Sequence, residues 1–178
     1  AYAAAVDESR PVLTGVKFQM LKDKLIVVAT DGFRLARKEF LTSSIKNLTS
    51  IIMPAKTIQE VARIAADSGE KAVKIEVVEK NNQVIFSCGA TDLISRILEG
   101  NYPDTEKIIP VDSPVEAIVD RQEFSQSLRA VSIFARDNNN IVRFRIGDSK
   151  FKLSAQVPQQ GESEVDMEAE TSGEGEIA

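Results

Sequence analysis

Three stretches of the chain repeat one pattern of apolar and polar positions: "VKFQMLKDKLIVVAT" from Val16, "VKIEVVEKNNQVIFSC" from Val73 and "VRFRIGDSKFKLSA" from Val142. Each alternates apolar and polar residues, breaks at a short polar run and alternates again, which is the period-two signature of strand, turn and strand. The pattern therefore predicts three related β-hairpins. Two helices precede the second and third. "TIQEVARIAADSG" places Ile58, Val61, Ile64 and Ala65 on one stripe at helical period, with Gly69 as its C-terminal stop. "DRQEFSQSLRAVSIFAR" does the same with Phe124, Leu128, Val131 and Ala135, and Asp120 and Glu123 have capping-box spacing at its start.

The recurring unit is a strand, a helix and several antiparallel strands, repeated at roughly 60 to 70 residues, too long for a short solenoid repeat. An α+β fold built from such units follows. Between two copies runs "LEGNYPDTEKIIPVDSP", where Pro103, Pro110 and Pro114 interrupt the pattern, since proline resists helix interiors and central strands. The domain junction is expected near residue 112, giving domains 1–112 and 113–178. The opening "AYAAAVDESR" reads as the end of a helix and starts without methionine, so a segment of a longer protein is expected.

After the run "KLIVV" comes "ATDGFRLA", residues 29–36. Asp31-Gly32 between apolar residues is a hairpin signal, because glycine takes positive φ without a Cβ clash. A turn alone does not account for Phe33, Arg34 and Leu35.

Composition narrows the chemistry. The chain has 178 residues, 43% hydrophobic and 28% charged, ordinary for a globular protein with one or two real cores. Histidine is absent, which removes the commonest general base and the commonest transition-metal ligand, so catalysis is not expected. The single cysteine, Cys88, lies in the apolar stretch "VIFSCGA", where a packed thiol fits better than a nucleophile. No glycine loop suited to a phosphate is present, and no cofactor or metal is implied. No apolar run approaches the length of a membrane helix, and one cysteine in a chain of this size fits a reducing cytoplasm.

Charge is uneven along the chain. The last 18 residues, "GESEVDMEAETSGEGEIA", hold seven acids and no base, leaving 22 basic and 20 acidic groups before them. Such a block often forms a solvated tail. Here, however, Val165, Met167 and Ala169 alternate with Glu164, Asp166, Glu168 and Glu170, the period of a half-buried strand with an acidic outer face.

"RPVLTGVKF", "VATDGFRLA", "IIMPAKTIQEV", "LEGNYPDTEKIIP" and the helix beginning "DRQEF", in that order and spacing, resemble the bacterial sliding clamp family, the beta subunit of DNA polymerase III. The resemblance covers the whole chain. It implies most of the middle clamp domain without its first strand and helix, followed by the first half of the last domain. It further implies a homodimeric ring in the full-length protein, with sheets outside and helices lining a hole for duplex DNA. Weak, sequence-independent phosphate contacts suffice there, because closure of the ring prevents dissociation.

The resemblance also assigns roles to residues. Positions matching Leu13, Thr30, Gly32, Phe33, Arg34, Leu35, Pro103, Lys107 and Ile108 wall a hydrophobic pocket beside the junction of the middle and last domains. There the alpha subunit of the polymerase, the clamp loader and other replication or repair proteins dock linear peptides. Phe33 stands where the family commonly has histidine and Lys107 where it commonly has arginine, departures that leave fine peptide preference open. The pocket's remaining wall and the ring-closing surfaces are expected from segments outside this chain. Lys56 and Arg63, seven positions apart, share one helix face suited to DNA. Arg10 matches an arginine of a family loop near DNA, while Arg121 and Arg129 are candidates as bases of the second helix. Two other readings use the same residues: an enzyme domain working through Asp31 and Asp104, and an interaction scaffold of α+β repeats that does not bind DNA.

Overall fold

The first expected hairpin forms as β1 (Gly15–Met20) and β2 (Lys24–Thr30), paired antiparallel from Lys17 opposite Val28 to Met20 opposite Leu25. It belongs to the first of two compact units, Ala1–Ile108 and Ile109–Ala178, into which the computed structural model of the chain divides; the structure describes residues 1–42, 49–136, 138–157 and 161–178. In the first unit β3 (Leu35–Leu41) and β4 (Thr49–Pro54) complete a sheet of order β3-β2-β1-β4. A second sheet holds β5 (Lys74–Val78), β6 (Gln83–Cys88) and β7 (Thr91–Arg96) in sequence order.

Between the sheets in sequence lies α1 (Ala55–Ser68), and Gly69 ends it in the left-handed region with φ of 68°. Ile58 and Val61 pack on a core of Val16, Phe18, Ala29, Ile51, Met53, Val84 and Phe86, to which Ala3 and Ala4 add. The helix end expected at the chain's opening is a single turn, closed by Ala4 N–H donating to Ala1 O at 3.1 Å. Cys88 is buried, with its sulfur 3.1 Å from the Ser68 hydroxyl.

The pleat of the first sheet explains an oddity of β2. Leu25, Val27 and Ala29 face the core, yet Ile26, Val28 and Thr30 on the other face are also buried. The register places them beside Lys17, Gln19, Leu35, Arg37 and Glu39. Leu98 N–H reaches this sheet, donating to Ile52 O at 2.8 Å, and a Cβ on Gly15 would lie 2.9 Å from the Leu98 side chain.

In the second unit, β8 (Glu116–Ile118) precedes α2 (Arg121–Ala135), whose N-cap Asp120 accepts from the N–H groups of Gln122 and Glu123, both at 2.9 Å. The third hairpin is β9 (Arg143–Gly147) with β10 (Lys150–Val157), joined through Asp148 and Ser149, both at positive φ as a type I′ turn requires. β11 (Gly161–Glu168) pairs with β10, so the acidic block is a strand: Met167 is buried, Val165 half-buried, and Glu162, Glu164, Asp166 and Glu168 are exposed. Lys152 answers two of them, 3.0 Å from Glu164 and 3.7 Å from Asp166. β12 (Glu170–Ser172) pairs with β8 and β13 (Gly175–Ile177) with β9. Val131, Ala135, Phe151, Leu153, Ala155 and Met167 form this unit's core, with Phe124, Phe144 and Phe151 in mutual ring contact at 5.4 to 6.1 Å.

Candidate functional site

The four residues between β2 and β3 are organised by one carboxylate. Asp31 Oδ1 accepts from the N–H groups of Phe33 and Arg34, each at 3.0 Å, and Oδ2 accepts from Arg34 Nε at 2.8 Å. Thr30 closes the loop from inside: its hydroxyl donates to Arg34 O at 2.8 Å and accepts from Gly32 N–H at 3.0 Å. Gly32, at φ of 98°, adopts a conformation that side chains rarely take. The Asp-Gly signal in the sequence is thus real, but it builds a self-bonded loop rather than a two-residue turn.

Phe33 is a direct consequence. Its N–H is held by Asp31, and the residue projects with 98% of its surface in water. Leu35 starts β3 opposite Thr30 and is half-buried. Leu13 is buried at the end of a 3₁₀ turn, Pro11–Thr14. Leu13 and Thr30 are thus buried, while Phe33 and Arg34 are exposed.

Pro103, Lys107 and Ile108 come from the chain after β7. Thr105–Lys107 form a 3₁₀ turn with Thr105 buried, Pro103 is exposed, and Ile108 keeps 59% of its surface in water. Lys107 is 3.1 Å from Asp104, and Arg37 on β3 is 3.6 Å from Glu106. Tyr102, which the sequence reading did not single out, ties this segment to the loop: its hydroxyl accepts from Thr30 N–H at 3.0 Å.

The two carboxylates considered for catalysis are both committed to local donors. Asp31 is held down to about 2, first by the Arg34 N–H, then by the Phe33 N–H and the Arg34 guanidinium. Asp104 is lowered chiefly by the Lys107 side chain. Among the described residues no cluster of three or more His, Cys, Asp or Glu has metal-ligand geometry. No helix among them is long and apolar enough to cross a membrane.

The basic candidates fall into different settings. Lys56 is exposed on α1 and forms no ion pair among the described residues. Arg63, on the same face, is gripped by Glu60 at 2.6 Å and Asp67 at 3.0 Å, an i,i+3 and an i,i+4 pair. The Glu60 hydrogen bond raises its already high pKa further. Arg121 and Arg129 are exposed on α2. Arg10, read from the sequence as a base near DNA, lies against the loop: its guanidinium donates to Asp31 O at 3.0 Å and covers Gly32, where a Cβ would come within 3.3 Å of Nη1.

The family model for the central domain of the DNA polymerase III beta subunit matches residues 1–104, and that for its C-terminal domain matches residues 106–178. The chain belongs to the DNA polymerase III beta-subunit family. It is 33% identical over 169 residues to the beta sliding clamp of Staphylococcus aureus strain Mu50, covering 94% of this chain and 44% of that protein. It thus spans less than half the length of the curated relatives it matches. Among solved structures, the sliding clamp of Bacillus subtilis is 31% identical with a TM-score of 0.88, covering 98% of this chain and 47% of that one. A sliding clamp from Pseudomonas aeruginosa, solved bound to griselimycin, is 26% identical with a TM-score of 0.86, covering 99% and 47%.

The Asp31 carboxylate gives this beta-subunit chain a testable signature. Its folded pKa of about 2 lies below the ordinary 3.8. Its stabilisation of the loop is therefore complete above the ordinary carboxylate value and is lost as pH falls from there through about 2. Amide shifts of Phe33 and Arg34, followed by NMR from pH 5 downward, are expected to titrate near 2 and to lose that transition in Asp31→Asn. A midpoint near 4 contradicts the assigned hydrogen bonds.

Proposed function

We propose that the chain is part of a DNA sliding clamp subunit. The full-length protein closes as a homodimeric ring around duplex DNA and tethers the replicative polymerase for processive synthesis in the cytoplasm. It is an accessory subunit without catalytic residues of its own. Residues 1–112 supply most of its middle domain and residues 113–178 the start of its last. The alpha subunit, the clamp loader and other replication or repair proteins bring linear peptides to an apolar pocket. Leu13, Thr30, Gly32, Phe33, Arg34, Leu35, Pro103, Lys107 and Ile108 form one side of that pocket.

The observation that carries this reading is the match of two successive beta-subunit domain models along one chain. The geometry of the loop supports the peptide role: exposed Phe33 offers apolar surface to an anchor side chain, and the exposed Arg34 guanidinium can hold a peptide carbonyl or carboxylate. That a clamp of this fold is known with griselimycin bound supports a ligand-receiving surface as well. In the full-length protein, Leu35→Lys is expected to weaken binding of a polymerase tail peptide by about 1 to 3 kcal/mol, the range of a substantial anchor. The fold should be unchanged, since Leu35 is only half-buried. Unaltered affinity in a folded variant rejects the pocket.

DNA contact is proposed for Lys56 and Arg63 on α1, for Arg121 and Arg129 on α2, and for Arg10. Exposure of the helix bases supports this. Arg63 must trade Glu60 and Asp67 for a phosphate, so it contributes less than Lys56. Lys56→Gln in the full-length ring is therefore expected to flatten the salt dependence of DNA association by about one counterion, and Arg63→Gln by less. If both variants keep the wild-type slope, α1 does not face DNA and the scaffold reading gains.

A further inference from the structure

The chain after β7 returns to the first sheet and brings Tyr102 to Thr30 and Glu106 to Arg37. Its course is fixed at both ends. Leu98 N–H is bonded to Ile52 O, and Glu106 faces Arg37 at 3.6 Å. Gly100, at φ of 129°, lets the backbone approach Val12 so closely that a Cβ would meet it at 3.2 Å. Between these points stands Tyr102, half-buried, with its hydroxyl joining two strand ends. It accepts from Thr30 N–H at the end of β2 at 3.0 Å and donates to Gly15 O at the start of β1 at 3.4 Å. These partners are 72 and 87 positions away in sequence.

Thr30 is the residue whose hydroxyl holds the loop closed from inside. The same residue thus bonds the loop through its side chain and the returning segment through its N–H. We propose that Tyr102 is a positioning residue for the peptide site, setting the spacing between the wall of residues 30–35 and the wall of residues 103–108 before any peptide arrives. The inference rests on the reading of these residues as peptide walls. Its physical content is pre-organisation: walls already held at the bound spacing spare the peptide the cost of ordering them. A phenylalanine at this position fills the same space and leaves Thr30 N–H, a buried donor, without its partner.

The test uses the full-length protein and a fluorescein-labelled peptide from the C-terminal tail of the replicative polymerase. Three variants are compared with wild type: Tyr102→Phe; Leu35→Lys, which reports on the pocket itself; and Phe86→Leu, which loosens the buried core without touching either wall. Each is measured for peptide affinity, urea midpoint and hydrogen exchange at the Thr30 amide. Tyr102→Phe is expected to weaken the peptide about three- to tenfold, the equivalent of one lost hydrogen bond, and to speed exchange at Thr30. Phe86→Leu is expected to lower the urea midpoint at least as much while leaving affinity unchanged. Wild-type affinity in Tyr102→Phe beside a marked loss in Leu35→Lys overturns the positioning role and leaves the pocket standing. An equal loss of affinity in Phe86→Leu also overturns it, because general loosening then suffices. Insensitivity to Leu35→Lys overturns the pocket reading, and the positioning role falls with it.

Discussion

β2 carries the run Leu25–Ala29 without a polar residue, and both of its faces are withdrawn from water. An antiparallel sheet usually buries one face and wets the other. Here the second face, with Ile26, Val28 and Thr30, requires a cover, and the chain must return over this sheet after β7 to supply part of it. The meeting of the loop with the returning segment follows from that constraint. The loop at the end of β2 meets the returning segment because the segment is already needed there, and the Tyr102 hydroxyl satisfies the buried Thr30 N–H where they meet.

Electrostatics in the two units follow a common economy. On α1, Arg63 is neutralised by its own helix neighbours; on β10, Lys152 is shared by two acids of β11. Exposed pairs of this kind add little to stability. Asp31 differs from these pairs, because two backbone N–H groups and a guanidinium converge on one carboxylate and give the loop a fixed shape.

The hairpins and helices were legible because their signals are local. Alternation marks β9 and β10, Gly69 stops α1, Asp120 caps α2, and Met167 alternating with acids reveals β11 within what composition alone presents as a tail. The pairing of Arg63 with Glu60 and Asp67 was also within reach, since the spacings are those of neighbours on a helix. The site was less accessible. Asp-Gly signals a turn, but not that Asp31 spends both oxygens on it. Arg10 gives no local sign of its bond to Asp31 O, a residue 21 positions further along the chain. Tyr102 carries no local mark, because its role depends on partners brought together only by the complete sheet. The wall residues themselves came from the family resemblance rather than from periodicity, which treats Leu13, Pro103 and Ile108 as unrelated.

The central claim is that the loop after β2 and the segment after β7 are preformed walls of one peptide site. Methyl NMR on full-length protein labelled at Leu, Ile and Val, titrated with a polymerase tail peptide, tests it most directly. The account predicts saturable shifts at Leu13, Leu35 and Ile108, with the core methyls of Val16 and Ile51 unmoved, as expected when a ligand enters a site that already exists. Shifts confined to other methyls, or a redistribution that reaches Val16 and Ile51, would contradict it.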